Sequence, residues 1–251
     1  MKLIKIPFSG GGLGKGNGSN EAPNKIISFL DTTSFEIEEI PVEESNISLS
    51  HKNIENFISN LNQKAILLGG DHSITYPSVK GFSKNNKDFK LLIFDAHPDL
   101  VNNFVPPTHE DYLKVLIEKK IIPPQNILLV GIRNSDKIET EYICKKLIHC
   151  IYMSDIKSQD LNTITQQLIS FCDQPTYLSI DIDVFDSDIA PGTGYAEPNG
   201  FKQKDLFNIL QKIIQTKNIK LIDIVEVNPK KDIENKTSFL ASKLIQTLQE
   251  F

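Results

Sequence analysis

The sequence predicts an α/β fold in three layers: a doubly wound, mainly parallel, eight-stranded sheet with helices on both faces. Three observations carry this. Short aliphatic and β-branched runs recur along the 251 residues and alternate with helix-length amphipathic stretches, as repeated strand–helix units do. Several runs, Leu91-Leu92-Ile93-Phe94 and Ile127-Leu128-Leu129-Val130 among them, are continuously apolar, which suits strands buried on both faces. The unusual polar residues follow directly on such runs, at the carboxyl ends of strands, where open α/β sheets bind their ligands.

Taken in order, the first strand is expected over Leu3–Phe8; the stretch from Met1 is broken by Lys2 and Lys5 and is too short for the apolar region of a signal peptide. Gly10–Asn20 is the one glycine-rich segment. Amphipathic spacing predicts a helix over Ala22–Leu30, then a strand over Phe35–Val42 and a helix over Lys52–Leu61. Strands follow at Ala65–Leu68 and Lys90–Phe94. Thr108-His109-Glu110-Asp111 reads as a capping box that opens a helix over Asp111–Lys119. Further strands are expected at Asn126–Ile132, Cys150–Met153, Thr176–Ile180 and Lys220–Val227, with helices at Lys137–Lys146, Leu161–Phe171, Lys204–Gln215 and Ser238–Gln249. The polar Lys231–Thr237 stretch reads as a surface loop. No linker or repeat interrupts the pattern, so residues 1–251 are read as one domain.

Composition narrows the class of function. With 39% hydrophobic and 24% charged residues the chain can bury a sizeable core. A net charge of -5 without a basic block argues against nucleic acid or an anionic membrane as partner. Three cysteines, Cys144, Cys150 and Cys172, without a C-x-x-C pair fit a reducing compartment. No apolar run reaches the roughly 18 residues of a membrane helix, and the expectation is a soluble cytoplasmic protein. Arg133 is the sole arginine among 27 basic residues, a usage that reads as codon bias rather than chemistry. His51 and His149 fall outside any motif.

Three segments hold the chemistry: Gly69-Gly70-Asp71-His72-Ser73, Asp95-Ala96-His97-Pro98-Asp99 and Ser179-Ile180-Asp181-Ile182-Asp183-Val184-Phe185-Asp186. Asp95, His97 and Asp99 are spaced i, i+2, i+4, which on an extended strand end points three side chains the same way. Asp181 and Asp183 repeat the i, i+2 relation, and His72 comes from a third strand. Four carboxylates and two imidazoles without a thiolate suit a hard or borderline ion such as Mn²⁺ better than a structural Zn²⁺. Their charge balances two divalent ions, and two such ions roughly 3.5–4 Å apart can share a bridging hydroxide, a nucleophile at neutral pH.

These segments resemble the three metal-binding motifs of the arginase/agmatinase superfamily, the ureohydrolases. Ala190-Pro191-Gly192-Thr193-Gly194, Glu226-Val227-Asn228-Pro229 and Gly131-Ile132-Arg133 resemble further family segments, and Pro7-Phe8-Ser9 adds a weaker match. The resemblance implies an arginase-like fold and hydrolysis of a guanidino or amidino C–N bond. It implies one ion held by His72, Asp95, Asp99 and Asp181, and a second held by Asp95, His97, Asp181 and Asp183. Asp99 would also orient the bridging hydroxide, Glu226 would anchor the guanidinium of a small cationic substrate, and His109 would shuttle protons. Trimers or hexamers are implied for the same reason.

Some positions depart from the family pattern. Its usual glycine after the shuttle histidine is Glu110 here; Glu110 and Asp111 read most simply as acids favoured by the dipole of a helix N-terminus, and the sharper alternative is that one of them reads a cationic substrate tail. The Ser-Gly-Asn type loop with which arginase holds an α-carboxylate is absent after Asp99, and Asn102 and Asn103 read as turn formers. Tyr195-Ala196-Glu197-Pro198 also departs. The expectation is therefore an agmatinase-like enzyme that releases urea, with arginase and formimidoylglutamase activity as alternatives. A zinc deacetylase would use a tandem histidine pair, which is missing. A non-catalytic relative would not be expected to keep all six ligands with His109 and Glu226. Gly10–Gly16 fails the phosphate-loop pattern at both ends and reads as a flexible loop over the site.

Overall fold

The structure, a computed structural model, describes residues 1–249 and 251. Its strands are β1 (Lys2–Lys5), β2 (Glu36–Glu39), β3 (Ala65–Leu68), β4 (Lys90–Phe94), β5 (Ile127–Ile132), β6 (His149–Tyr152), β7 (Thr176–Asp181) and β8 (Ile219–Val225). They form one eight-stranded sheet in the order β2-β1-β3-β8-β7-β4-β5-β6. Every pairing is parallel, so the sheet expected to be mainly parallel is wholly so. The helices are α1 (Ala22–Ile27), α2 (Ile47–Ser59), α3 (Thr75–Ser83), α4 (Tyr112–Glu118), α5 (Lys137–Lys146), α6 (Met153–Ser158), α7 (Leu161–Phe171), α8 (Gln203–Ile214) and α9 (Lys236–Thr247). Among the described residues no helix is long and apolar enough to cross a membrane.

Alternation along the strands creates two cores. Leu92 and Phe94 of β4 join Ile66 and Leu68 of β3 in a core under α1, α6, α7, α8 and α9. Leu91 and Ile93 join Ala65 and Leu67 in a second core under α2, α3, α4 and α5. Successive side chains point to opposite faces, which is why these runs are apolar at every position. Each fully buried Leu or Ile contributes about 1.5–3 kcal/mol. The central strands are thus anchored far more firmly than edge strand β2, whose Glu36, Glu38 and Glu39 pair with Lys2 and Lys5 of β1.

Several boundaries differ from expectation. The first strand ends at Lys5, because Pro7 offers no N–H and the Phe8 carbonyl turns to accept from Asp71 N. Asn46 caps α2 by accepting from Leu49 N, so this helix begins earlier than expected. α3 went unforeseen: Pro77 interrupts its pattern, yet it sits in the first turn, where an N–H has no intrahelical partner in any case. The last strand stops at Val225 because Glu226 takes a positive φ of 62°.

Register aligns the strand ends. Phe94 stands beside Ile180, Ile180 beside Ile224, and Ile224 beside Leu68. The residues just beyond them therefore emerge at one level from four adjacent central strands, β3, β8, β7 and β4.

Candidate metal centre

Asp95 follows β4, Asp181 ends β7, His72 follows β3 and Glu226 follows β8. The structure brings all six sequence-predicted ligands together on this rim, though not by extended strand ends. After Asp95 the chain turns: His97 N donates to Asp95 Oδ1 at 2.7 Å and Ala96 N to Asp183 Oδ1 at 3.0 Å. Asp99 sits in the left-handed region with φ 54°, and Leu100 N is tied to Glu139 Oε1. Asp183 lies in a 3-10 turn, Ile182–Val184, and its own amide donates to Asp181 Oδ1 at 2.8 Å. The i, i+2, i+4 spacing was the right signal, but turns deliver the convergence.

Two clusters share Asp95. In one, His72 Nδ1 lies 3.1 Å from Asp95 Oδ2, 3.1 Å from Asp99 Oδ2 and 3.2 Å from Asp181 Oδ2. In the other, His97 Nδ1 lies 2.9 Å from Asp183 Oδ2 and 3.6 Å from Asp95 Oδ1. The donor atoms of His72, Asp95 and Asp181, and those of Asp95, His97 and Asp183, are each close enough to hold one ion. His72 Nδ1 and Asp95 Oδ2 are fully buried and neither has a partner in hydrogen-bond geometry. Two orphaned polar atoms facing each other in the interior are costly, and a cation between them removes that cost. The donor set therefore fits a dinuclear divalent centre.

The charges agree. Burial pushes Asp181 well above the usual carboxylate range, reinforced by Asp183 and Asp95. Burial and then the Asp95 charge push Asp99 up to about 8; burial and Asp95 raise Asp183 as well. Asp95 is the exception. Burial opposes its ionisation, but hydrogen bonds with His72 and His97 hold it low. Without added positive charge the cluster keeps protons it would otherwise lose, so metal binding must displace them.

Both imidazoles are oriented from behind. His72 Nε2 faces Ser179 Oγ at 2.9 Å, and Ser179 donates onward to Asp223 Oδ1 at 2.6 Å. Ser179 therefore accepts from His72 Nε2–H, which leaves the Nδ1 lone pair for an ion. Thr75 and Tyr177 also donate to Asp223. Behind His97, Glu197 Oε1 lies 3.5 Å from Nε2 and accepts from Asn134 Nδ2 at 2.8 Å. Arg133 locks this side. Its guanidinium is directed at the carbonyl oxygens of Gly131, Asp183, Val184, Phe185, Glu197 and Pro198. A planar five-donor fork suits such a cradle and an ammonium does not. The sole arginine thus has a structural task that its rarity did not announce. Asp223 had a readable sign, a lone acid in an apolar strand.

Glu226 Oε1 accepts from His72 N at 2.7 Å and faces His109 Nδ1 at 3.1 Å. Its Oε2 accepts no hydrogen bond among the described residues. Gly194 makes room there: a Cβ on it would come within 3.2 Å of that oxygen. His109 Nε2 is buried, makes no hydrogen bond among the described residues and lies 3.9 Å from Glu110 Oε1. Burial works against a charge on His109, but the hydrogen bond to Glu226 and the charges of Glu226, Asp71 and Asp99 push its pKa up to about 9. Both residues border a cavity of about 260 Å³ shared with His72, His97, Asp99, Asp181 and Asp183. Glu110 and Tyr195 line it as well.

Other expectations are corrected here. His109 does not open a helix; it lies in a turn, with its N–H on Gly11 O, and α4 begins at Tyr112. Asp111 is buried and accepts from Thr108 N, Thr108 Oγ1 and Phe104 N, so it cannot face a substrate. The glycine-rich segment packs onto the rim: Gly11 N donates to Asp71 Oδ2 at 2.8 Å, and a Cβ on Gly11 would stand 2.2 Å from Ser73 Oγ. Asn102 and Asn103 do not line the cavity; Val101 does. His51 is buried between Phe8 and Tyr76, and His149 is exposed.

A sequence model of the Arginase family matches residues 2–249. An agmatinase of Bacillus subtilis is 30% identical over 226 residues, which cover 88% of this chain and 76% of the agmatinase. An arginase of Staphylococcus aureus is 31% identical over 203 residues, covering 74% of this chain and 67% of the arginase. Among solved structures, an arginase from Bacillus subtilis superposes with a TM-score of 0.90 at 22% identity, covering 99% of this chain and 97% of that one; this last likeness is one of fold.

Proposed function

The chain belongs to the arginase family, and on that premise we propose that it hydrolyses the guanidino C–N bond of a small, agmatine-like substrate and releases urea. One observation carries the choice of substrate. Beyond the proposed metal ligands the cavity lining holds four carboxylates, Glu110, Asp136, Glu139 and Glu226, and among the described residues no lysine or arginine. A cationic tail beyond the guanidinium meets counter-charge there, whereas the α-carboxylate of arginine or the carboxylates of a formimidoyl amino acid would face mostly like charge.

In this reading His72, Asp95, Asp99 and Asp181 hold one ion and Asp95, His97, Asp181 and Asp183 the other, with Mn²⁺ favoured by the oxygen-rich set. When bound, the two ions supply a water acidified to near neutrality and positive charge for the transition state. The protein does the rest. Glu226 Oε2 holds the guanidinium against the centre, which fixes the approach of the electrophilic carbon. Asp99 orients the attacking oxygen by a hydrogen bond. The C–N bond to the alkyl chain breaks, the water oxygen stays with urea, and the alkyl nitrogen leaves as an ammonium. Of the two protons this nitrogen gains, one would come from the attacking oxygen as it becomes the urea carbonyl, and the other from His109 Nε2, buried at the cavity wall with its pKa raised by Glu226.

A second reading has one observation behind it. Lys15 Nζ stands 5.7 Å from the centre of the Tyr195 ring, and it offers a carboxylate-tailed guanidine a partner outside the lining. A panel of guanidines and amidines, assayed for urea and formamide after chelation and Mn²⁺ add-back, decides. Urea from the ammonium-tailed guanidine foremost is expected. If metal-loaded protein yields neither product from any member, the hydrolase reading fails.

A further inference from the structure

Glu110 and Tyr195 are 85 residues apart in sequence, and Tyr195 Oη donates to Glu110 Oε1 at 2.9 Å. Both line the cavity. The tyrosine ring lies 5.6 Å from the ring of His97 and 6.0 Å from that of His109, so the pair stands directly above the reacting end of the site.

The cavity holds four carboxylates outside the proposed ligand set: Glu110, Asp136, Glu139 and Glu226. Glu226 is engaged by His72 N and His109. Glu139 accepts from Leu100 N through one oxygen and from Asp136 N through the other. Asp136 belongs with Glu139 to the cap of α5. Glu110 differs from these three. Its hydrogen-bond partner is a neutral hydroxyl on Oε1; His109 Nε2 lies 3.9 Å from that same oxygen, and Oε2 accepts no hydrogen bond among the described residues. Its side chain is 30% exposed, open enough for a ligand to reach.

We infer that Glu110, held in place by Tyr195, receives the distal ammonium of the substrate and so sets the specificity for guanidinoalkylamines. This rests on the hydrolase reading of the same site. Tyr195 fixes the Glu110 rotamer before binding, which reduces the ordering cost when the ammonium arrives. Because the carboxylate is partly exposed, its contribution is moderate and screened by salt. A discrimination of about tenfold between charged and neutral tails is the appropriate scale.

The alternative is that the pair is only a latch tying the Thr108–Asp111 turn to the Tyr195 loop. Glu110→Gln separates the two, because glutamine keeps an acceptor for the tyrosine hydroxyl and removes the charge. Tyr195→Phe does the reverse: it keeps the charge and removes its anchor. The test uses full-length, Mn²⁺-loaded protein, with metal content checked for each variant, and three guanidines of matched length: guanidinobutylamine, butylguanidine and guanidinobutyrate. The quantity read is the kcat/KM ratio of the ammonium-tailed to the neutral substrate, at low and high salt.

In Glu110→Gln the ratio is expected to fall about tenfold, through KM, and its salt dependence to weaken; Tyr195→Phe should lower it less. An unchanged ratio in Glu110→Gln overturns the inference. So does a shift in the pH profile of kcat without a KM effect, which would mean that Glu110 works through His109. Preference of the wild type for guanidinobutyrate also overturns it, in favour of Lys15. Urea with a flat ratio defeats this inference alone, whereas no urea from any of the three defeats the hydrolase reading beneath it.

Discussion

In the His72 half of the centre the imidazole is 1% exposed and is braced by side chains inside the core, from Ser179 to Asp223 and on to Thr75 and Tyr177. In the His97 half the imidazole is 21% exposed, and the segment that carries Asp183 is braced mostly by main chain, through the carbonyls of Asp183, Val184, Phe185 and Glu197 gathered by one guanidinium. The same kinds of ligand are thus mounted in two ways. One is locked by packing that must unfold to release it. The other is clamped by a single side chain and open to water. The difference leads us to expect that an ion held in the His97 half exchanges more readily than one held in the His72 half.

The largest expected effect removes one of the two ligands, Asp95 and Asp181, common to both halves. Asp95→Ala should take metal content from about two ions per chain toward none and lower urea release by roughly 10³-fold; two ions retained in metal analysis would break the shared-ligand geometry. Next, Asp183→Ala should leave about one ion per chain, in the His72 half. Loss of both ions would mean that the halves are not separable.

Smaller effects come from the braces. Arg133→Lys should weaken the more exchangeable ion and Asp223→Asn the less exchangeable one, each by about 10–100-fold in affinity, read by chelator competition on the two release phases. If both substitutions act on the same phase, the contrast between the halves is wrong.

The smallest effect is in pH. Folding raises the acidities' midpoints of Asp99, Asp181 and Asp183 above those of an unfolded chain, so the folded, metal-free protein binds more protons. Its stability should then fall as pH rises from about 5 to about 8. His97, held above its usual value against burial by Asp183 and Asp95, acts in the same direction above about 6.5. Asp95 is shifted the other way, which matters only below the ordinary carboxylate range. Thermal melts should show a Tm that declines over this window without metal and stays level with it. A rising metal-free Tm would contradict the charge balance described for the cluster.

The ligands were legible because each follows a strand that is apolar on both faces, and parallel register carries those ends to one level. The sheet was legible for the same reason. The braces were harder to see. Asp223 could have been read, since an acid inside Ile219–Val225 demands buried donors. Arg133 could not, because its partners are carbonyls, which every residue possesses. The Glu110–Tyr195 pair joins two loops, and no local pattern relates them. Helix α3 was missed because Pro77 breaks the periodicity at a point where the first turn tolerates it.

Asp99 has a consequence beyond the reaction. It combines a left-handed backbone, which costs an L-residue about 1–2 kcal/mol, with a carboxylate that burial and its neighbour Asp95 both disfavour. Asparagine would keep the shape without the charge, and glycine would relax the backbone. Either should make the metal-free fold more robust while removing a ligand. In a descendant freed from selection for chemistry, drift at this position is therefore downhill. The residue at position 99 is accordingly the place to look when sorting working enzymes from pseudoenzymes among sequences of this kind.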